Sequence, residues 1–197
     1  MQGIKTRLYK TKLIILISGI IFSSIIIYSQ VDARITKPTP IISYQGSEVG
    51  LPLRIKIPKI KINSVVENVG LTQAGAIDAP KGPANVGWFT DSPSPGEIGS
   101  SVMDGHSGWK NNVPAVFDNL YKLKKGDKMY VEDDKGNTIT FVIREIRKYN
   151  PDADAQDVFN LNDNKAHLNL ITCTGAWNNI KKTHSERLVV FTDREIK

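Results

Sequence analysis

The residues of this chain with the most evident chemical potential are one cysteine and three histidines. Cys173 closes the alternating apolar run of residues 167–173. A thiolate is a strong nucleophile, but it needs a cation or a base beside it. A chain with a single cysteine cannot form an internal disulfide. Cys173 is therefore either a buried, inert thiol or a reactive nucleophile.

The three histidines differ in how well they could serve that cysteine. His106 follows an apolar run and has a glycine on either side within two residues, so its ring can be presented at a loop. His167 precedes Cys173 on the same predicted strand, about 20 Å away and out of reach. His184 falls in a polar loop, where it could approach the site or be an ordinary solvated histidine. His106 is the preferred base, with a loop histidine of no special role as the alternative.

An arginine completes the set of candidate residues. Arg187 opens the last apolar run, after the loop that follows Cys173, so adjacent strands would bring the two side by side. Acyl transfer builds negative charge on a carbonyl oxygen, which a fixed guanidinium can stabilise. The alternative for Arg187 is a surface ion pair with Glu186 or with a neighbouring residue. Arg144 and Arg147 lie on another predicted strand and are expected to be solvated.

The elements that must position these residues are mostly short strands. Helical spacing predicts one short helix over 116–123, and residues 157–161 fit a helical turn. Pro58 predicts an edge or a break in the first run, and the turn at 133–137 predicts a hairpin. Many short strands with few helices indicate a β-barrel or a sandwich. The strand-like runs cover residues 51–66, 99–106, 128–132, 138–146, 168–173 and 187–192.

An apolar segment without charges occupies residues 13–28, and four basic residues precede it. Up to about 20 residues are available to cross a bilayer, and the basic flank favours a cytoplasmic N-terminus. A cleaved signal peptide ending near Ala33 is the alternative. Either way the domain is exported, to a compartment where a lone thiol is a liability. The predicted organisation is a basic N-terminus (1–12), a transmembrane anchor or signal peptide (13–31), a linker (32–50) and a catalytic domain (51–197).

The overall charge argues against a nucleic-acid partner. The formal net charge of +6 includes the four basic residues before the apolar segment. Without them, 22 of the 26 basic residues remain against 20 acidic residues, which is close to balance. A nucleic-acid-binding domain would need a clustered basic face. Asp152, Asp154 and Asp157 stand among loop-forming residues, where a solvated loop is favoured over a calcium site. No metal or cofactor is expected.

Several stretches of the chain together resemble the sortases, the cysteine transpeptidases of bacterial cell surfaces. The segment 170–173 is similar to the family's Thr-x-Thr-Cys-like signature, with Leu170 where threonine is more usual. Each stretch is weak alone, but their order and their position after an apolar segment are jointly specific. The stretches that carry the resemblance are 54–60, 95–106, 115–127, 170–173 and 186–190.

The resemblance implies a mainly β fold, an eight-stranded barrel with one or two short helices, in which His106, Cys173 and Arg187 meet at one end. Cys173 would attack an LPxTG-like sorting signal near the C-terminus of a surface protein. An amine of a cell-wall peptide or of a pilin would then resolve the thioacyl enzyme. His106 would serve as acid and base, Arg187 would hold the substrate and the oxyanion, and Thr172 and Thr174 would line the substrate groove.

The apolar segment and the basic residues before it predict a single-pass protein of the cell membrane with an extracellular catalytic domain. Two other functions stay open from the residues alone. One is a cysteine hydrolase, in which water takes the acyl group, and the other is a non-catalytic, membrane-tethered β-barrel that only binds peptides. The residues after His106 assign no sortase class, so the sorting signal and the amine acceptor are left open.

Overall fold

The computed structural model of the chain describes residues 49–180 and 183–196. The predicted anchor at 13–31 and nearly all of the predicted linker lie outside these residues. Within the part described, no helix is both long and apolar enough to cross a bilayer.

The described residues form eight strands that close into a barrel, in the order β1-β2-β3-β4-β7-β8-β6-β5. Two neighbouring pairs, β2–β3 and β4–β7, are parallel, and the other pairs are antiparallel. The predicted eight-stranded barrel is confirmed. The strands are β1 (Pro52–Ile57), β2 (Ile62–Val69), β3 (Val86–Phe89), β4 (Gly99–Gly105), β5 (Lys128–Asp133), β6 (Thr138–Tyr149), β7 (Ala166–Asn178) and β8 (Thr183–Arg194).

The helical elements are shorter than the sequence predicts. The described residues contain one α-helix, α1 (Gln156–Phe159), and three 3₁₀ turns at Pro58–Ile60, Lys110–Asn112 and Leu120–Lys122. The helix predicted over 116–123 is reduced to the last of these turns. The hydrogen bonds there run from residue i to residue i−3, from Leu120 N–H to the Phe117 carbonyl at 3.0 Å and from Leu123 N–H to the Leu120 carbonyl at 3.2 Å, which is the pattern of 3₁₀ turns and not of an α-helix. The turn at Pro58 breaks the first run between β1 and β2.

Two apolar clusters cover the two faces of the barrel wall made by β4, β7 and β8. Leu168, Leu170 and Leu188 point into the barrel interior, which is packed with side chains from all round the wall. Val102 and Phe191 belong to a second cluster on the outer face, where α1 covers the sheet. Because both faces are covered, the first five residues of β7 are all buried. Side chains alternate along a strand, so Cys173 follows the outer face.

Candidate active site

The site begins where the parallel strands β4 and β7 end side by side. Their register pairs Asp104 with Ile171, a sequence separation that is constant along the pair. The Thr172 hydroxyl donates to the Gly105 carbonyl at 2.7 Å, which extends the same register by one residue. The next positions along the two strands are His106 and Cys173. Both residues therefore leave the barrel at the same end, on adjacent strands.

Strand β8 brings the arginine to the other side of the cysteine. Cys173 and Arg187 are direct partners in the antiparallel pair β7–β8. Directly opposed residues place their side chains on the same face of a sheet. His106, Cys173 and Arg187 therefore form one row across three neighbouring strands, on the outer face of the barrel wall.

A cleft of about 650 Å³ opens over this row. Its volume lies in the range of sites that take a small ligand or a short segment of peptide. Cys173 is partly buried at the cleft, which leaves its thiol open to a substrate. The residues that line the cleft are His106, Ser107, Gly108, Trp109, Lys110, Cys173, Trp177 and His184.

The hydrogen bond of His106 determines which ring nitrogen is free for chemistry. Its Nε2 lies 3.0 Å from the carbonyl oxygen of Pro80. A carbonyl oxygen only accepts, so Nε2 carries the hydrogen, and Nδ1 is the unprotonated nitrogen of the neutral ring. The ring of Trp109 packs edge-on at 4.6 Å and restrains the imidazole. His106 therefore offers Nδ1 for proton exchange.

The backbone of Arg187 lies beside Cys173, but its guanidinium rests on its own hairpin. It donates to the Thr183 hydroxyl at 3.0 Å and to the carbonyls of His184 and Glu186 at 3.3 and 3.1 Å. Arg187 is thus not among the residues that line the cleft. The alternative of an ion pair with Glu186 is wrong, because the Glu186 carboxylate pairs with Lys148 at 3.0 Å.

Comparisons with known proteins identify the family. A family model described as the sortase domain matches residues 55–195. This chain belongs to the sortase family. A comparison with curated proteins gives no match.

Solved sortase structures share this fold. Sortase C-1 from Actinomyces oris is 27% identical, with a TM-score of 0.57 and coverage of 73% of each chain. A lid mutant of sortase A from Corynebacterium diphtheriae is 28% identical, with a TM-score of 0.59, covering 78% of this chain and 74% of that one. Sortase C1 from Streptococcus agalactiae is 27% identical, with a TM-score of 0.57, covering 73% and 67%.

The sortase domain has a second histidine in its cleft that the sequence left undecided. His184 was predicted in a loop, but it lies on β8, opposite Trp177 of β7. Strict alternation from Arg187 would turn it to the opposite face. A register shift between Thr174 and Trp177, with Gly175 at φ 79°, forms a β-bulge in the hairpin. Bulges bend and twist a strand pair and re-aim side chains, and here His184 reaches the cleft.

Three other residues considered from the sequence do not line the cleft: His167, Thr172 and Thr174. His167 is buried, and its ring nitrogens Nε2 and Nδ1 lie 2.8 Å from carboxylate oxygens of Asp163 and Asp193, respectively. The hydrogen bond between His167 and Asp163 lowers the pKa of Asp163. Thr172 is buried with its hydroxyl on Gly105, and neither it nor Thr174 is among the residues that line the cleft. A part for these two threonines in substrate binding stays a prediction.

Arg147, which the sequence predicts to be solvated, is partly exposed to solvent and is also bonded within the domain. Its guanidinium pairs with Glu145 and Asp157, donates to the Tyr149 hydroxyl, and lies 4.7 Å from the centre of the Phe191 ring. These contacts tie α1 to β6. Arg144 likewise is not free, because it pairs with Asp193 at 2.8 Å.

Asp157 is therefore a partner of Arg147 rather than a member of an open acidic cluster. Within the described ranges no group of three or more His, Cys, Asp and Glu residues could hold a metal ion.

The partly buried carboxyl group of Asp104, on β4, lies two residues before His106. Burial, together with the negative charges of Asp78 and Glu67, raises the pKa of Asp104 to about 7. Its Oδ1 is buried without a hydrogen-bond partner among the described residues. The opposing residue on β3 is Gly87, and a Cβ there would stand 2.5 Å from that oxygen. Asp104 is thus held in a pocket that favours its neutral form.

This burial predicts a pH-dependent stability. The pKa of Asp104 rises from 3.8 to about 7 on folding, so the folded chain binds more protons between these values. The contribution of Asp104 to the free energy of unfolding therefore falls as the pH rises from 4 to 7. Asp104→Asn should raise Tm at pH 8 by at least about 2–4 °C, the shift that about 1 kcal/mol produces in a domain of this size. At pH 4.5 it should change Tm little.

Thermal unfolding of the wild type and the variant at the two pH values checks this expectation. Asp91→Asn, which removes one negative charge from the exposed surface, is the control. A Tm difference for Asp104→Asn that is the same at both pH values would contradict the assignment.

Proposed function

We propose that this sortase domain is a cysteine transpeptidase that cleaves a C-terminal sorting signal and transfers the protein to an amine. The observation that supports this best is the row of His106, Cys173 and Arg187 on three adjacent strands, of which His106 and Cys173 line a cleft of about 650 Å³. Cys173 supplies the nucleophile, His106 carries the proton, and Arg187 stabilises the oxyanion.

In the first half-reaction the Cys173 thiol gives its proton to Nδ1 of His106, and the resulting thiolate attacks the backbone carbonyl carbon of the sorting signal. The carbonyl oxygen becomes an oxyanion, and the Arg187 guanidinium stabilises it. The C–N bond then breaks, and His106 gives a proton from Nδ1 to the leaving amine. The products are a thioacyl bond on Cys173 and a released C-terminal peptide.

Arg187 must leave its resting contacts to reach that oxyanion. The acceptors that hold it are one hydroxyl and two backbone carbonyls of its own hairpin, all neutral. Hydrogen bonds between a cation and a carboxylate or oxyanion are stronger than those to neutral acceptors. A substrate that develops negative charge at Cys173 therefore draws the guanidinium from the hairpin into the cleft.

In the second half-reaction an amine attacks the thioacyl carbon, and the Cys173 thiolate leaves. The candidate acceptors are a cell-wall peptide amine and a pilin lysine. The similarity to sortase A and to sortase C structures is nearly equal, at 28% and 27% identity. The proposal therefore covers both kinds of acceptor, with surface proteins that carry a sorting signal as the acyl donors.

The test is to incubate the purified domain with labelled LPxTG-like peptides, with and without an amine, and to follow intact mass. We expect a thioacyl adduct on Cys173 and, with the amine, a transpeptidation product. A hydrolase would give only the free acid in the presence of the amine. If every peptide tried stays intact and a thiol-directed vinyl sulfone does not modify Cys173, the proposed activity is contradicted. The non-catalytic, peptide-binding barrel would then be the supported function.

Arg187→Lys should slow acylation by about 10²- to 10³-fold, the loss typical when one oxyanion donor is removed. A lysine keeps the charge but lacks the planar fork of donors. The measurement is the rate of peptide release in single turnover. Arg194→Lys is the matched control, because Arg194 also lies on β8 and donates to a backbone carbonyl, that of Gly96 at 2.6 Å, away from the cleft. Equal losses in the two variants would contradict the assigned role.

The location of the domain is part of the same proposal. We assign the apolar segment 13–31 as a single-pass anchor that leaves the catalytic domain on the extracellular side, where surface proteins and cell-wall amines are found. The length of the segment and the basic residues before it support this orientation. N-terminal sequencing of the membrane-derived protein tests it, because a new N-terminus near Ala33 would instead demonstrate a cleaved signal peptide.

A further inference from the structure

The tautomer of His184 is determined by a backbone contact. Its Nδ1 lies 3.0 Å from the carbonyl oxygen of Gly175, across the bulged hairpin. Because that oxygen only accepts, Nδ1 carries the hydrogen, and Nε2 is the nitrogen with a free lone pair in the neutral ring. The Trp177 ring packs edge-on at 5.2 Å and restrains the imidazole. His184 is therefore a hydrogen-bonded and oriented base.

His184 lines the same cleft as Cys173. Its Nε2 has no hydrogen-bond partner within residues 49–180 and 183–196. Along β8 it lies three residues from the cross-strand partner of Cys173, about 10 Å away. At that spacing it is too distant to be the base for the thiol itself, but it can contact a second molecule that approaches the thioacyl group.

The chemistry of the cleft indicates what that molecule needs. Among the described residues that line it, none carries a carboxylate, and Lys110 adds a positive charge. An incoming ammonium group therefore finds no ion-pair partner there. Apart from His106, the one imidazole among the described residues that line the cleft is that of His184. A protonated amine must lose its proton before it can attack, and His184 can accept that proton.

We propose that His184 is the base on the acceptor side, which deprotonates the amine that resolves the thioacyl enzyme. This role rests on the proposed function. One proton passes from the ammonium to His184 Nε2, and the amine lone pair forms the C–N bond. The C–S bond breaks, with its electron pair on the Cys173 sulfur. His106, neutral after giving its proton to the first leaving group, takes the second proton from nitrogen, and His184 returns its proton to water.

The variant His184→Asn isolates this role. An asparagine amide can stand where Nδ1–H stands and keep the bond to Gly175, but it has nothing in place of Nε2. Three acceptors are compared: hydroxylamine, which is uncharged at neutral pH, triglycine, whose α-amino pKa is about 8, and a lysine side-chain amine, whose pKa is about 10.4. The measurements are the rate of acylation and the second-order rate of aminolysis for each acceptor.

We expect acylation and hydroxylamine attack to stay within about twofold of the wild type. Attack by triglycine and by the lysine amine should slow by about 10- to 100-fold, at the lower end of general base effects. Imidazole buffer should restore part of the loss. A merely structural part for His184 would instead lower the rates of all three acceptors, hydroxylamine included, by the same factor, and that result would overturn the proposal.

An observation independent of turnover tests the tautomer. Nitrogen–proton correlation spectra of the wild-type imidazole rings should show the hydrogen of neutral His184 on Nδ1 and that of neutral His106 on Nε2. A hydrogen on Nε2 of His184 overturns the proposal, whatever the activity. Absence of a Cys173 adduct in the wild type would overturn the proposed function and this role together, whereas a normal adduct with acceptor-independent loss overturns this role alone.

Discussion

Cys173→Ala is expected to abolish the thioacyl adduct and to lower turnover by about 10⁵- to 10⁶-fold, the loss seen when a catalytic nucleophile is deleted. The physical reason is that nothing else in the row can form a covalent bond with the substrate carbonyl. The chain has no other cysteine, so no neighbouring thiol can take over. Intact-mass measurement after incubation with a sorting peptide, together with the rate of peptide release, checks this expectation.

The fold should survive this substitution. Cys173 is only partly buried and lies near the end of the barrel, so the loss of one sulfur atom opens no core cavity. Its Tm should stay within about 2–4 °C of the wild type, which corresponds to about 1 kcal/mol. Cys173→Ser is the companion variant, and its far less acidic hydroxyl should also leave turnover near background. Peptide cleavage by either variant at more than a few per cent of the wild-type rate would show that Cys173 is not the nucleophile.

His106→Gln should lower the rate of acylation by about 10²- to 10⁴-fold, the range of general acid–base catalysis. The glutamine amide can reach the position of Nε2 and keep the hydrogen bond to Pro80, so the loop should stay in place. What the variant lacks is Nδ1, the nitrogen that exchanges protons with Cys173 and the leaving amine. Single-turnover peptide release, followed from pH 5 to 9, is the measurement.

The comparison with His184→Asn makes this test specific. Both variants remove a cleft imidazole and keep one backbone hydrogen bond, but only His106→Gln should impair acylation. In the wild type the rate should rise and then fall with pH, because acylation needs both a thiolate and a protonated histidine. The His106 variant should lose the fall at high pH. A wild-type pH profile retained by His106→Gln, with an unchanged rate, would exclude His106 as the acid.

Much of the fold followed from local pattern. Alternating apolar residues predicted the principal strands, and the turn at 133–137 predicted the hairpin β5–β6, because side-chain alternation and turn chemistry act within a few residues. The helix over 116–123 failed for the opposite reason. The stretch forms i−3 bonded turns, and its first residues are fixed by bonds to Pro83 and His106, residues distant in sequence that no periodicity reveals.

The sequence by itself determined which residues are available for chemistry: one cysteine, an accessible histidine after a strand, and an arginine opening the last apolar run. It could not determine the stagger between β4 and β7, which sets His106 beside Cys173 and depends on pairing between strands far apart in the chain. Only the tertiary structure placed Arg187 on its own hairpin and, through the bulge at Gly175, turned His184 into the cleft. Alternation predicts the face of a side chain within one regular strand, whereas a bulge and its twist arise from the contact between two strands.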